Sequence, residues 1–397
     1  MSHSPPAVPS APIPFLSGGF RPFFLLGALQ AAATIAVFVP WYLGLVAPAS
    51  LFSAPTWHAH ELLFGFVPAV LAGFLTTAIP NWTKRPALVG VPLAALVLLW
   101  FAGRAAVLAS AGLGWIATTA IDVAFLVVVA LWAGREIVTA GDRRNLKTVA
   151  WVVLLAAANG LFHWEIERWG RTIWAERIGL AAILALILLV GGRIVPQFTA
   201  NRLAARSPVG DVRRNPSLDV FAAWASGAAL VAWVVAGQWS ATAIPAAILL
   251  AVAGVSNLAR LSGWRGLATL GEPLLAVLHL GWATTALGFL VAAASELGPD
   301  VVPATGAVHL WTTGAIGLFT LAVMTRASRG HTGRSLVAGA ATTALYLLVV
   351  IAAAARLVVA LRPEWTLPGL ATAGLAWIAA FLGFAMLHAG MLTQRRR

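Results

Sequence analysis

Two histidines and a glutamate stand together at Trp57-His58-Ala59-His60-Glu61, inside an otherwise apolar stretch. Residues of these types can hold a metal ion and move protons beside it, and ionisable groups at membrane depth are retained at a cost that marks them as functional candidates. If a regular helix runs through the segment, His58 and Glu61 share a face while His60 points elsewhere, because residues two apart are turned by about 200°. One metal would not easily take both histidines. One would serve as ligand, and the other, or Glu61, as its partner or as a proton relay. The alternative role is an interfacial cap with Trp57 in the aromatic belt of a bilayer. A second group, Asn159-Gly160-Leu161-Phe162-His163-Trp164-Glu165, is followed by Glu167, four residues beyond His163 and on its helical face.

Further histidines are isolated. His309 falls near the start of one apolar segment, His279 and His388 lie inside two others, and His331 sits in the basic stretch Arg326-Ala327-Ser328-Arg329-Gly330-His331-Thr332-Gly333-Arg334. Neutral imidazole ligates haem iron, copper and zinc, so His58, His60, His163 and His309 are candidate cofactor and metal ligands on one side of a bilayer. His279, His331 and His388 are candidates on the other. His279 and His388 equally suit hydrogen-bonded core positions, and His331 suits a loop anchor, an anion site or a ligand. Arg104 and Arg356 also fall in apolar segments and need acceptors. Haem propionates would take bidentate bonds from them, with Asp122 or a glutamate as the structural alternative. Cysteine is absent, which excludes disulfides, covalent CxxCH haem attachment, thiolate-ligated haem, iron–sulfur clusters and cysteine-ligated copper.

These residues must be positioned by membrane helices. The chain of 397 residues is 60% hydrophobic and 10% charged, with a mean hydropathy of +0.88, a balance foreign to soluble domains. Its apolar runs predict an all-α integral membrane protein, a bundle of about 12 transmembrane helices over roughly 20–46, 57–79, 88–109, 113–138, 147–167, 176–199, 217–236, 242–262, 272–295, 303–326, 335–360 and 367–391. Residues 1–15 read as a disordered Pro-rich tail without the features of a cleavable signal, and 16–397 as one polytopic domain. The net charge of +13 sits in loops after even-numbered helices, with no aromatic-basic pattern that would suit nucleic acid. The positive-inside rule therefore places both termini in the cytoplasm. A short echo, Ile79-Pro80-Asn81-Trp82-Thr83 against Val195-Pro196-Gln197-Phe198-Thr199, would suit a threefold pseudo-repeat of four helices, as in haem–copper oxidases.

Longer motifs carry a resemblance. WHAHELLFGF at 57–66, AGFLTTAIPNWTKR at 72–85, GGRIVPQFTANR at 191–202 and LAVMTRASRGHTGR at 321–334 strongly resemble the NnrS family, and the likeness spans nearly the whole chain. Matching motif positions are His58, His60, Glu61, Asn81, Trp82, Arg193, Pro196, Asn201, Arg202, Arg326, Gly330, His331 and Arg334. The resemblance implies a polytopic bacterial inner-membrane protein that contains haem and copper and is associated with the response to nitric oxide. Haem b, held without covalent attachment, agrees with the lack of cysteine.

Three functions follow as expectations. The first is a nitric oxide reductase forming nitrous oxide at a His-ligated haem/metal site, with Glu61, Glu165 and Glu167 supplying protons and a quinol or small redox protein supplying electrons. The second is a non-catalytic haem/copper sensor or sink for nitric oxide. The third is a secondary transporter, which twelve helices commonly build, although the histidine count and the lack of broken helices in matched halves stand against it.

Overall fold

A computed structural model describes residues 13–205 and 212–394, and all regular structure in them is helical. Twelve helices are long and apolar enough to cross a bilayer: α1 Phe20–Tyr42, α2 Ala54–Thr83, α3 Gly90–Leu108, α4 Trp115–Thr139, α5 Arg143–Trp169, α6 Ala175–Ala204, α7 Pro216–Ala236, α8 Ser240–Gly263, α9 Pro273–Glu296, α10 Ala304–His331, α11 Ala340–Leu361 and α12 Pro363–Thr393. The chain is thus a multi-pass membrane protein. The expected tail falls at residues 1–12 outside the described residues, and Pro14–Leu16 form one 3-10 turn.

Helix ends differ from the sequence expectation where capping chemistry extends them. The Ser53 hydroxyl accepts from the Thr56 amide, with Pro55 in the first turn where its missing N–H is not needed, so α2 starts ahead of both histidines. At its far end α10 continues past the expected boundary, and His331 is its last residue instead of a loop residue. The reason lies just beyond: Gly333 takes a left-handed φ of 69°, and the amides of Gly333 and Arg334 bond back to the carbonyls of Gly330 and Arg329. That glycine cap closes the helix where a β-carbon would be strained.

Consecutive helices pack in hairpin fashion, α7 on α8, α8 on α9 and α11 on α12, while α12 closes the ring against α1. Helices α2 and α10 are the most deeply buried, with α6 and α9 next, and α2, α6 and α10 touch one another at the centre. The threefold repeat is not established by this arrangement, because the three central helices are unlike. Helices α2 and α10 each contain a π-helical turn, Glu61–Phe66 and Leu310–Ile316, while α6 is unbroken α-helix; α2 and α6 carry an internal proline near their ends and the matching part of α10 does not. Each π-turn follows a histidine directly, His60 in α2 and His309 in α10. Such turns concentrate at functional sites because they re-aim side chains that a regular helix would leave elsewhere.

Candidate metal centre and histidine-lined cavity

Three helices deliver polar side chains to one buried point. His60 from α2, Asp122 from α4 and His163 from α5 offer ligand atoms that all lie within 4.8 Å of one another, and all three residues are at most 1% exposed. Asp122 Oδ2 is the shared acceptor: it lies 2.9 Å from His163 Nε2 and 3.1 Å from His60 Nε2, and Asn159 Nδ2 donates to it at 2.8 Å. The Asn159 carbonyl oxygen meets His60 Nε2 at 3.0 Å. Two imidazole nitrogens and one carboxylate oxygen form a donor set suited to borderline divalent metals such as copper(II), zinc or iron(II).

Outside the three ligand candidates lies a shell that would orient them. Glu61 Oε1 is 3.3 Å from His60 Nδ1, a carboxylate behind a metal-facing imidazole, as metal sites commonly arrange. Arg104 of α3 donates to Glu61 at 2.7 Å and to Asp122 Oδ1, and Gln30 of α1 donates to Glu61 Oε2 at 2.5 Å. The close approach of Arg104 depends on Gly65, where a β-carbon would fall 2.5 Å from the guanidinium, and Trp100 donates to the Gly65 carbonyl at 3.0 Å. Two carboxylates against one guanidinium leave one negative charge in a buried site. A proton on an imidazole or a bound cation must balance it, since an uncompensated buried charge costs several kcal/mol. The His163 Nδ1 atom is buried and has no partner.

His58, two residues from His60, faces elsewhere. It lines a cavity of about 720 Å³ between α1, α2, α6, α10, α11 and α12, together with His309, Arg356, Glu176, Tyr42 and Trp377. That volume falls in the range of roughly 300–1,000 Å³ typical of cofactor sites. The His58 ring stacks on Phe38, with centroids 4.2 Å apart, and its Nδ1 is buried without a partner. His309 Nδ1 donates to the Thr305 carbonyl at 2.8 Å, which leaves Nε2 as the nitrogen with a free lone pair; the Arg356 guanidinium donates to it at 2.7 Å. That tautomer makes Nε2 the nitrogen that would ligate iron once the Arg356 guanidinium turns from it to another acceptor. Arg356 beside it can meet a carboxylate, so the residues fit a haem with propionates. The same π-turn chemistry that aims His60 at the buried centre thus has its counterpart at the His309 side of this cavity.

The remaining glutamates and histidines lie apart from both places. Glu165 accepts from the amides of Ile173, Trp174 and Ala175, at 2.8, 2.9 and 3.1 Å, and so anchors the start of α6 instead of facing the metal candidates. Glu167 is on the exposed side of α5, away from buried His163. His279 bonds to the Leu275 carbonyl at 3.0 Å and to the Thr199 hydroxyl at 3.3 Å, the pattern of a core histidine. His388 bonds to the Phe384 carbonyl at 3.1 Å and stacks on that ring, and His331 packs on Phe20 with centroids 5.3 Å apart. Arg104 reaches Glu61 and Asp122, the structural alternative to a propionate. Glu165→Ala should accordingly lower stability by about 2–3 kcal/mol through three lost charge-assisted bonds while leaving metal content unchanged, as thermal unfolding and metal analysis of one preparation would record.

The sequence points to Asp122 only as a partner for arginine and to Asn159 only as a neighbour of His163, and it does not single out Gln30 or Glu176. A signal existed for Asp122, the one carboxylate within the apolar run Trp115-Ile116-Ala117-Thr118-Thr119-Ala120-Ile121-Asp122-Val123-Ala124-Phe125. The family model described as NnrS protein matches residues 14–396. Neither the curated proteins nor the solved structures gave a match.

Proposed function

The chain belongs to the NnrS family, and from that premise we propose that it holds haem b in the histidine-lined cavity and copper, or another divalent metal, at the buried triad, and that it reduces nitric oxide to nitrous oxide. The observation that carries this reading is the division of labour between His58 and His60: neighbours on α2, one lines the large cavity and the other enters the triad. Two centres built on neighbouring residues of one helix would be placed to exchange electrons. Haem and a divalent metal, when bound, supply one-electron redox chemistry and a coordination position for a diatomic ligand.

This chain's own residues would do the rest. His58 and His309 hold the haem, and Arg356 meets its propionates. His60, Asp122 and His163 hold the second metal; Arg104 fixes the outer oxygen of Asp122, and Glu61 holds the His60 tautomer and can accept or release a proton at His60 Nδ1. Reduction of two nitric oxide molecules consumes two electrons and two protons and yields nitrous oxide and water, so a donor such as a quinol or a small redox protein is required. In a bacterial inner membrane with both termini cytoplasmic, both sites lie toward the outer face, and protons would reach Glu61 from that side.

Complete burial of the triad favours a second reading, a sensor or sink in which nitric oxide binds once at the cavity without turnover. An optical spectrum and metal analysis of purified protein, followed by anaerobic nitric oxide consumption with an artificial donor, separate the two. Sustained, donor-dependent consumption with nitrous oxide as product supports the reductase. Uptake that stops at one equivalent per haem supports the sink, and a preparation without haem bands overturns both.

A further inference from the structure

Next to the histidine-lined cavity lies a second, smaller one. It measures about 100 Å³, sits between α2, α5, α6 and α10 at mid-depth of the bundle, and is bounded by side chains such as Val70, Phe74, Ile187, Val190 and Phe319. Val67 and Ile316 belong to the walls of both cavities, so the two adjoin at these side chains. Thr148 and Thr320 are the polar residues of an otherwise apolar wall, and the Thr320 hydroxyl donates to the carbonyl of Ile316 in its own helix at 2.7 Å.

Such a space selects its occupant by exclusion. A buried water needs two to four polar partners, and an apolar cavity of about 150 Å³ is known to stay dry and to take up xenon. At about 100 Å³ the space is too small for an organic cofactor and large enough for a diatomic molecule. Phe74, Ile187, Val190 and Val323 are only partly buried, so the cavity reaches the lipid-facing side of the bundle, where uncharged gases concentrate.

We propose that this apolar cavity is the route and reservoir through which a small uncharged diatomic gas passes from the bilayer core into the histidine-lined cavity, with Val67 and Ile316 as its neck. The gas being nitric oxide rests on the function proposed above; the passage itself does not. Its dryness also means that protons cannot follow the gas, so the two reactants of a reduction would arrive by separate paths.

Two measurements on the full-length protein in nanodiscs test it. Under xenon pressure, the structure of the wild-type protein should show xenon in the cavity bounded by Val190 and Phe319. In haem-loaded protein, the bimolecular rate of carbon monoxide recombination after photolysis should fall about tenfold in Val67→Phe, whose ring overfills the neck, and rise in Val67→Ala, which widens it. Absence of xenon from that cavity overturns the proposal, as do equal rates in all three proteins with unaltered haem spectra. If Val67→Phe does not fold, the faster rate expected of Val67→Ala decides. A protein without haem would remove the proposed function, and absence of xenon from the cavity would still overturn the passage on its own.

Discussion

Asp122→Ala should empty the buried metal site and cost the protein about 3–5 kcal/mol of stability, the largest effect expected of any single substitution in this half of the bundle. One oxygen of Asp122 gathers His60, His163 and Asn159, and the other receives Arg104. Alanine leaves the Arg104 guanidinium, 8% exposed, with Glu61 as its remaining carboxylate, and leaves the two imidazoles without the acceptor they share. The network is therefore broken from its middle, and partial satisfaction of buried polar groups is worse than none. Asp122→Asn separates the two consequences. It keeps the shape, so less of the stability goes, but it removes a ligand charge and turns an N–H toward donors that need an acceptor. Bound metal should fall at least about tenfold. Metal analysis with thermal unfolding on the same samples reads both; unchanged metal in Asp122→Asn would remove the triad from consideration as a metal site.

Much of this architecture is legible in the sequence, and the parts that are not share a cause. Twelve spans follow from apolar runs, because helix in a bilayer is dictated by local hydropathy and the need to satisfy every backbone group. The divergence of His58 and His60 also follows locally, from the rotation per residue. Partnerships across helices do not. His60 meets Asn159 at a sequence separation of 99, and Arg104 meets Glu61 at a separation of 43; nothing in the periodicity of either helix says which faces will touch. Hence Glu165 and Glu167 read as companions of His163 by spacing, whereas the fold turns one to the start of α6 and the other outward. The π-turns after His60 and His309 are equally silent in sequence, since they arise where packing stabilises one extra residue in a turn. The extension of α10 to His331 depended on reading Gly333 as a cap, which the basic stretch around it obscured.

His58→Ala and His309→Ala should each abolish the haem absorption bands while leaving the triad's metal in place. Neither histidine contributes to the triad, and both line the cavity of about 720 Å³, a volume suited to a haem. His58 Nδ1 has no hydrogen-bond partner to lose, and its stacking on Phe38 is worth about 0.5–1.5 kcal/mol, so the fold should survive its removal. Arg356→Ala should act more mildly, weakening haem retention by about 10–100-fold because it removes a partner of the propionates and of His309 without removing a ligand. His163→Ala is the informative contrast. Its place on the same side of the bilayer groups His163 with the haem candidates, but its Nε2 faces Asp122 in the triad, so this variant should lose the metal and keep the bands. Spectra and metal analysis of the four variants therefore form a crossed design. Loss of haem in His58→Ala and His309→Ala, with loss of metal in His163→Ala, requires two distinct centres. Full bands in both His58→Ala and His309→Ala would place the haem elsewhere and break the link between His58 and His60 on which the proposed electron exchange depends.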